Sequence, residues 1–445
     1  MSVLRELTAE IADIVTDPHI LLAYQRDQAA LAEAQTPLAL VRARGVTDVV
    51  TTLRLASAHQ IPVVTRGAGS GLAGGANAVD GCIILATTAM DRIVAIDEVQ
   101  RTATVQPGVL GGDLAVAAAK HGLWYPPDPA SKAFSTIGGN IATNAGGGCC
   151  LKYGVTGDHI AALTAVLASG EVIRTGGTPL KNVAGLDLTR LLVGSEGTLA
   201  VIVEAVLRLR PPPHPAATLA AFFDTVEAAG AAITAIGQVG DPSLMELMDR
   251  TTIQAVEQAT RMGLDTEAGA LLIVQSDSSS AANDIDAYAA ACIEARDIAQ
   301  TTDPAEGEAF LSARRQALPA LERHGTTLLD DVAVPKLAIP AMIGQIQSIA
   351  SRHQVTIGTF GHAGDGNLHP TIVFQQDQRQ AAMTAFHDIV QAALHLGGTI
   401  TGEHGVGILK TRYLTDMLGS AERALLGRIK AAFDPRNILN PGKAI

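Results

Sequence analysis

The glycine-rich stretch RGAGSGLAGG (66–75) constrains this chain most, because it follows a strand and precedes no helix. IPVVTR (61–66) reads as a short strand bounded by turn residues. GSGLAG (69–74) then fits the GxGxxG pattern, and Asp91 lies about 20 residues on, where a nicotinamide-dinucleotide site wants an acid. Such a site also needs a helix opening directly behind the glycines, so that its N-terminus faces a pyrophosphate. Here GANAVDG (75–81) comes next, opened and closed by glycine, and the strand CIILAT (82–87) follows at once. The Rossmann reading fails on that ground. What remains is a loop whose successive N–H groups converge into an anion-binding nest, with Ser70 as a further donor, or else a plain glycine-rich turn.

A chain of 445 residues exceeds one ordinary core and predicts two or three domains. Hydrophobic residues make up 47% and charged residues 17%, enough apolar material for buried cores and against disorder. The net charge of −12, with a sequence pI of about 5.4, argues against nucleic acid as a partner. It does not argue against a small anion, since a local cationic site overrides the global field. The N-terminal MSVLRELTAEIADIV carries acids inside its apolar stretch and has no basic start, so no signal peptide is expected. No apolar run is long enough for a membrane span. Cys82, Cys149, Cys150 and Cys292 show neither a disulfide framework nor the CxxC spacing of a zinc or iron–sulfur site. A reducing cytoplasm fits, with peripheral placement at a membrane as the variant. Electrons leaving through iron–sulfur centres would need another chain.

Residues 1–36 read as an N-terminal helical segment. Val49, Val50, Leu53 and Ala56 form a helical stripe over 47–60, and a second helix is expected over 111–120, stopping at Gly122. Strand-like pieces stand at 82–86 and 101–106. The stretch 124–148 is rich in proline and glycine and reads as a long functional loop. PPPHP (211–215) marks a boundary. Beyond it TLAAFF (218–223), TVEAAGAAITAIG (225–237), SLMELMD (243–249) and ALLIVQSD (270–277) alternate strand and helix, the third piece being strand or short helix. This predicts an α+β domain with helices on one sheet face, running over 213–395, then a C-terminal helical segment, 396–445, returning to the first domain.

Together, RGAGSGLAGG, YPPDPAS (125–131), TIGGNIATNAGG (136–147), KYG (152–154), DLTRLLVGSEGTLAVI (187–202), GHAGDGNLHP (361–370) and GEHGVG (402–407) resemble the FAD-binding PCMH-type, or vanillyl-alcohol oxidase, superfamily. Within it the resemblance is to the glycolate oxidase and D-lactate dehydrogenase group, and it spans about residue 36 to 445. It implies a two-subdomain PCMH-type FAD-binding domain over 37–212, a ferredoxin-like α+β substrate cap, and a flavoprotein function. It implies that Arg66, Gly67, Ala68, Gly69, Ser70, Gly71 and Leu72 hold the FAD pyrophosphate. Asp128, Ser131, Gly138, Gly139, Thr143 and Gly146 would line the flavin and ribityl region, and Glu196, Gly197 and Ile202 the adenine end. Ser70 stands where some members carry a flavin-linked histidine, so FAD is expected to be non-covalent.

VTIGTFGHAGDGNLHPTIVF (355–374) sets two apolar runs around Asp365-Gly366, a hairpin signal. If those two residues are the turn, His362 and His369 stand directly opposite each other, with Cβ atoms roughly 4.5–5.5 Å apart. Two such imidazoles can chelate one cation; the alternative is two structural histidines. Glu403, in a glycine-bracketed turn, offers a third ligand, a set that leaves positions open for substrate. The resemblance gives His362, His369 and Glu403 the same three roles, with zinc or manganese as the metal; nitrogen and oxygen donors do not decide between them. His404 is the expected base for the substrate hydroxyl, with hydride passing from C2 to flavin N5; its alternative is to orient Glu403. Arg314 matches the family arginine and would pair with the substrate carboxylate, or else lie solvated and paired with Glu308.

The expected reaction is oxidation of a small D-2-hydroxy acid, such as D-lactate or glycolate, to its 2-keto acid. The acceptor would be a quinone, a cytochrome or an iron–sulfur partner, and a homodimer is the default assembly. Thr371 and Leu329 stand where related 2-hydroxyglutarate dehydrogenases carry asparagine and lysine, which disfavours a second substrate carboxylate. The competing functions are an oxygen-using oxidase, a D-2-hydroxyglutarate dehydrogenase, and a non-catalytic subunit of a glycolate oxidase complex.

Overall fold

The computed structural model describes residues 3–29 and 31–445, so residues 1, 2 and 30 of the expected N-terminal segment lie outside the described residues. The chain divides into two compact units. The first comprises residues 1–146, 154–212 and 403–445; the second comprises 147–153 and 213–402.

The first unit holds two sheets. Strands β1 (Ile14–Val15), β2 (Ala39–Arg42), β3 (Val63–Arg66) and β4 (Ile83–Ala86) form one, in the order β1-β2-β4-β3, with β2 and β3 both parallel to β4. Every residue of β4 is buried, as a central parallel strand requires. Val46–His59 is the helix between β2 and β3; it buries Val49, Leu53 and Ala56 and stops at Gln60 in the left-handed conformation. Strands β5 (Ile93–Asp97), β6 (Thr102–Val105), β7 (Ile160–Val166), β8 (Val172–Gly176) and β9 (Val201–Arg208) form an antiparallel sheet ordered β5-β6-β9-β7-β8. Side chains along β9 alternate between buried and half-buried, so one face packs on the core of Val105, Ile137, Ile141, Leu163 and Leu207. The expected loop over 124–148 contains one short helix, Ile137–Thr143. Thr136 begins it by accepting a hydrogen bond from the Gly139 N–H at 3.3 Å, a capping signal that outweighs the two glycines.

The second unit is one antiparallel sheet of eight strands. They are β10 (Ala217–Phe223), β11 (Leu244–Asp249), β12 (Ala270–Ser276), β13 (Ala295–Thr301), β14 (Thr326–Leu329), β15 (Val332–Ala333), β16 (Thr356–His362) and β17 (Asn367–Phe374). The order is β13-β10-β12-β11-β16-β17-β14, with β15 also on β17; its first four strands follow the order of a ferredoxin-like fold, with the helix Arg250–Thr260 added between β11 and β12, and β14 to β17 then extend that sheet. SLMELMD forms a strand, β11, fully buried from end to end. Residues 396–402 stay in this unit rather than leaving at 395. Thr399 bridges Ala333, and the Asp331 carboxylate accepts from the Thr401 hydroxyl at 2.6 Å and the Gly402 N–H at 2.9 Å.

The β16–β17 hairpin departs from the expected register. Phe360 faces His369 and His362 faces Asn367, so the histidines are diagonal neighbours rather than direct partners. The turn is four residues, Ala363–Gly366: the Asp365 N–H bonds the His362 carbonyl at 3.1 Å and the Gly366 N–H the Ala363 carbonyl at 3.3 Å, while the Gly366 carbonyl accepts from the Val334 N–H at 3.0 Å. The shift is two residues. An even shift preserves the face, so both histidines still project from the same side of the sheet.

Candidate active site

In the first unit the glycine-rich loop leaves β3 at Arg66. The Arg66 guanidinium is buried, lies 5.8 Å from the Tyr24 ring, and folds across Gly69, where a Cβ would strike it. Gly69 sits at φ +72, open to glycine at no steric cost. Among the described residues no group accepts from the buried Nη1 of Arg66. A buried cationic donor beside a glycine-rich loop fits an anionic phosphate ligand. The loop is braced from behind. The Ala73 carbonyl accepts from the N–H groups of Ile408 and Leu409, and the C-terminal tail places the Asn440 amide at 2.9 Å and the Lys443 ammonium at 3.1 Å from the Gly75 carbonyl. Burial lowers the Lys443 pKa to about 8.

Glu196 takes a position the sequence reading did not foresee. Its backbone is left-handed at φ +49, and its buried carboxylate accepts from the N–H groups of Val406 at 2.7 Å and Gly407 at 2.9 Å. It therefore fixes the GEHGVG turn that carries Glu403 and His404. Burial pushes its carboxyl up to about 7, with those two N–H groups pulling the other way. Glu403 lies against Gly146, where a Cβ would come within 2.6 Å of Oε2, so a side chain there would push the carboxylate from this position. The His404 ring nitrogen Nε2 is 3.5 Å from Glu403 Oε1. Gly67 packs on Thr136 and Gly138 on Pro107, so the glycine-rich loop and the helix Ile137–Thr143 are held close together.

In the second unit His362 and His369 meet edge to face, with ring centroids 5.2 Å apart and planes at 86°. Both are largely buried, and a carboxylate stands beside each. Glu246 on β11 lies directly across from His362 in the strand register, and its Oε1 is 2.5 Å from His362 Nδ1. Asp331 Oδ1 lies 3.8 Å from His369 Nδ1 and accepts from the Asn367 amide at 2.9 Å. Glu246 also binds Arg314, whose Nε is 2.6 Å from its Oε2. Burial raises the Glu246 carboxyl, but the neighbouring His362 and Arg314 outweigh burial and hold it below the ordinary carboxylate range. Arg314 is thus neither solvated nor paired with Glu308: it ends the helix Pro304–Arg315, stacks 4.6 Å from the Phe360 ring, and leaves Glu308 to Arg315.

The sequence reading missed Glu246, Asp330 and Asp331. The signal was present: an acid inside the apolar run SLMELMD, or a pair of acids in LLDDVA, must find a partner if buried.

The glycine-rich loop with its buried arginine thus lies in one unit, and the paired histidines, with Arg314 beside them, lie in the other. The fold matches solved structures. A 4-ethylphenol oxidase from Gulosibacter chungangensis aligns with a TM-score of 0.80 at 17% identity, covering 99% of this chain and 96% of that one. Residues 37–176 match the FAD binding domain family, and residues 212–444 match the family described as FAD linked oxidases, C-terminal domain. The chain belongs to this FAD-linked oxidase family and is an FAD-binding oxidoreductase. Two similar relatives are a glycolate oxidase subunit GlcD of Bacillus subtilis and a D-lactate dehydrogenase of Anaerostipes hadrus. The first is 44% identical, over 92% of this chain and 88% of the relative. The second is 35% identical, over 94% and 92%. Among the described residues no helix is long and apolar enough to cross a membrane.

Proposed function

We propose that the protein oxidises a short D-2-hydroxy acid, of the size of D-lactate or glycolate, to the 2-keto acid. The observation that carries this reading is the buried pair His362–His369, two imidazoles on one sheet face with Arg314 held beside them. Its nitrogen spacing suits a divalent cation, zinc or manganese, for which Glu403 would be the third protein ligand. When bound, that cation would supply positive charge that makes a 2-hydroxyl easier to deprotonate. FAD, held without a covalent link by residues 66–72, would supply the two-electron acceptor for the C2 hydride.

The remaining work falls to side chains. The Nη groups of Arg314 pair with the substrate carboxylate, since its Nε is engaged by Glu246. His404 takes the hydroxyl proton as the C2–H bond is lost. Substrate length is limited on the sheet. Thr371 follows His369 by two residues on the same face, and its register partner on β14 is Leu329. Neither supplies the amide or ammonium group that would hold a second carboxylate in related 2-hydroxyglutarate dehydrogenases, which favours a short or apolar-tailed acid over 2-hydroxyglutarate. Retention of both histidines, Glu403 and His404 favours a catalytic chain over a degenerate subunit. The physiological acceptor is a quinone, a cytochrome or an iron–sulfur partner met by a cytoplasmic protein.

The test is a panel of D- and L-2-hydroxy acids with an artificial dye acceptor, run before and after chelation. Turnover of D-lactate or glycolate that chelation abolishes and added zinc or manganese restores is expected. No turnover with any acid sinks the substrate; turnover indifferent to chelation removes the metal. Reoxidation by air at the rate of turnover would identify an oxidase instead.

A further inference from the structure

Glu246 lies in the sheet interior between two groups of different chemistry. One carboxylate oxygen is 2.5 Å from His362 Nδ1 and the other 2.6 Å from Arg314 Nε. The Glu246 side chain is only 4% exposed, and its strand partner is His362 itself. Gly148 approaches the same carboxylate closely enough that a Cβ there would come 3.2 Å from Oε1 and 2.8 Å from Leu244 Cδ1, so the glutamate has little room to turn. A carboxylate accepts only, so the His362 nitrogen facing it must carry the proton. The other ring nitrogen, Nε2, is then the one with a lone pair to give.

We infer that Glu246 is the positioning residue of the second unit: it fixes His362 with Nδ1 protonated and Nε2 as the metal donor, and with its other oxygen aims Arg314. This rests on the reading of His362 and His369 as metal ligands. A carboxylate behind a ligating histidine raises the donor's basicity and locks its ring, and its loss typically weakens metal binding ten- to a hundredfold. Because the same carboxylate holds Arg314, its removal should also loosen recognition of the substrate carboxylate. A merely structural carboxylate would alter thermal stability and neither of the other two.

The test titrates Co(II) into chelator-stripped, FAD-loaded protein and follows the visible d–d bands, with the steady-state KM for D-lactate measured separately on zinc-loaded protein. Glu246→Gln keeps the volume and removes the charge; Glu246→Asp keeps the charge and shortens the reach. Co(II) affinity ten- to a hundredfold weaker in Glu246→Gln, a raised KM, and an intermediate Glu246→Asp are expected. Unchanged affinity and KM in both variants overturn the inference while leaving the metal reading intact. A wild-type protein that takes up no Co(II) overturns the metal reading and this inference with it. If both variants fail to fold, ¹⁵N-histidine spectra of the wild type decide. The resonance missing from His362→Asn should show Nδ1 protonated and Nε2 bare, shifting when zinc is added; protonation at Nε2 overturns the proposal.

Discussion

The turn bearing Glu403 and His404 and the hairpin bearing His362 and His369 place similar chemistry by opposite means. The hairpin is regular. Its histidines are set by strand register, and the buried acid Glu246 lies across the sheet from one of them. The turn is irregular. Among the described residues its backbone pairs with no strand; the buried Glu196 carboxylate accepts two of its N–H groups, and Gly146 leaves room for Glu403. A sheet distributes the positioning over many backbone bonds, whereas the turn leans on two carboxylates, Asp331 at Gly402 and Glu196 at Val406 and Gly407. The turn should therefore answer more sharply to single substitutions and to pH.

The largest effect expected is on catalysis. His404→Ala should cut turnover about 10²- to 10⁴-fold, the range for removing a general base, with the flavin spectrum and Co(II) uptake unchanged. Undiminished turnover in dye-coupled assays would make His404 a residue that only orients Glu403.

Next comes the pH dependence of the turn's anchor. The Glu196 carboxyl is raised from an ordinary 4.5 to about 7 in the folded protein, so between those values the folded state binds more protons than the unfolded state. Its contribution is therefore full below pH 4.5 and is lost as pH rises to 7, on the order of 3 kcal/mol for a shift of that size. Glu196→Gln removes the titration, so the wild type's melting temperature should fall relative to the variant over this window and run parallel to it above. Parallel curves throughout would mean the anchor is charged at all these pH values.

The smallest effect separates neighbouring arginines. Arg315 pairs at the surface with Glu308, each about half exposed or more, so Arg315→Ala should change stability by less than about 0.5 kcal/mol and leave KM alone. A raised KM in Arg315→Ala would mean that the wrong arginine has been assigned to the substrate carboxylate.

The glycine loops, the absence of a helix behind residue 75, the helix Val46–His59 and the strands at 63–66, 83–86 and 217–223 were legible in the sequence, because each follows from local chemistry. The histidines' shared face was legible too, since a strand alternates with period two. Their register was not: Asp365-Gly366 signals a two-residue turn, but the turn has four, closed by its own bonds from Asp365 to His362 and Gly366 to Ala363 and tied outward to Val334 and Met245. Glu246 could have been suspected as a charge in an apolar strand, but its partner could not be read without knowing that β11 neighbours β16. The hinge of the C-terminal segment was misplaced for the same reason, as Asp331 is what holds Thr401 and Gly402.

By itself, then, the sequence determined which residue types would suit a phosphate, a cation or a proton, because those demands are local: a glycine where backbone must approach, an imidazole where a lone pair is needed. Tertiary structure alone decided which buried carboxylate stands behind which functional group. A buried charge must find its partner wherever the chain brings one, and strand order, not spacing along the chain, set Glu246 beside His362 and Arg314.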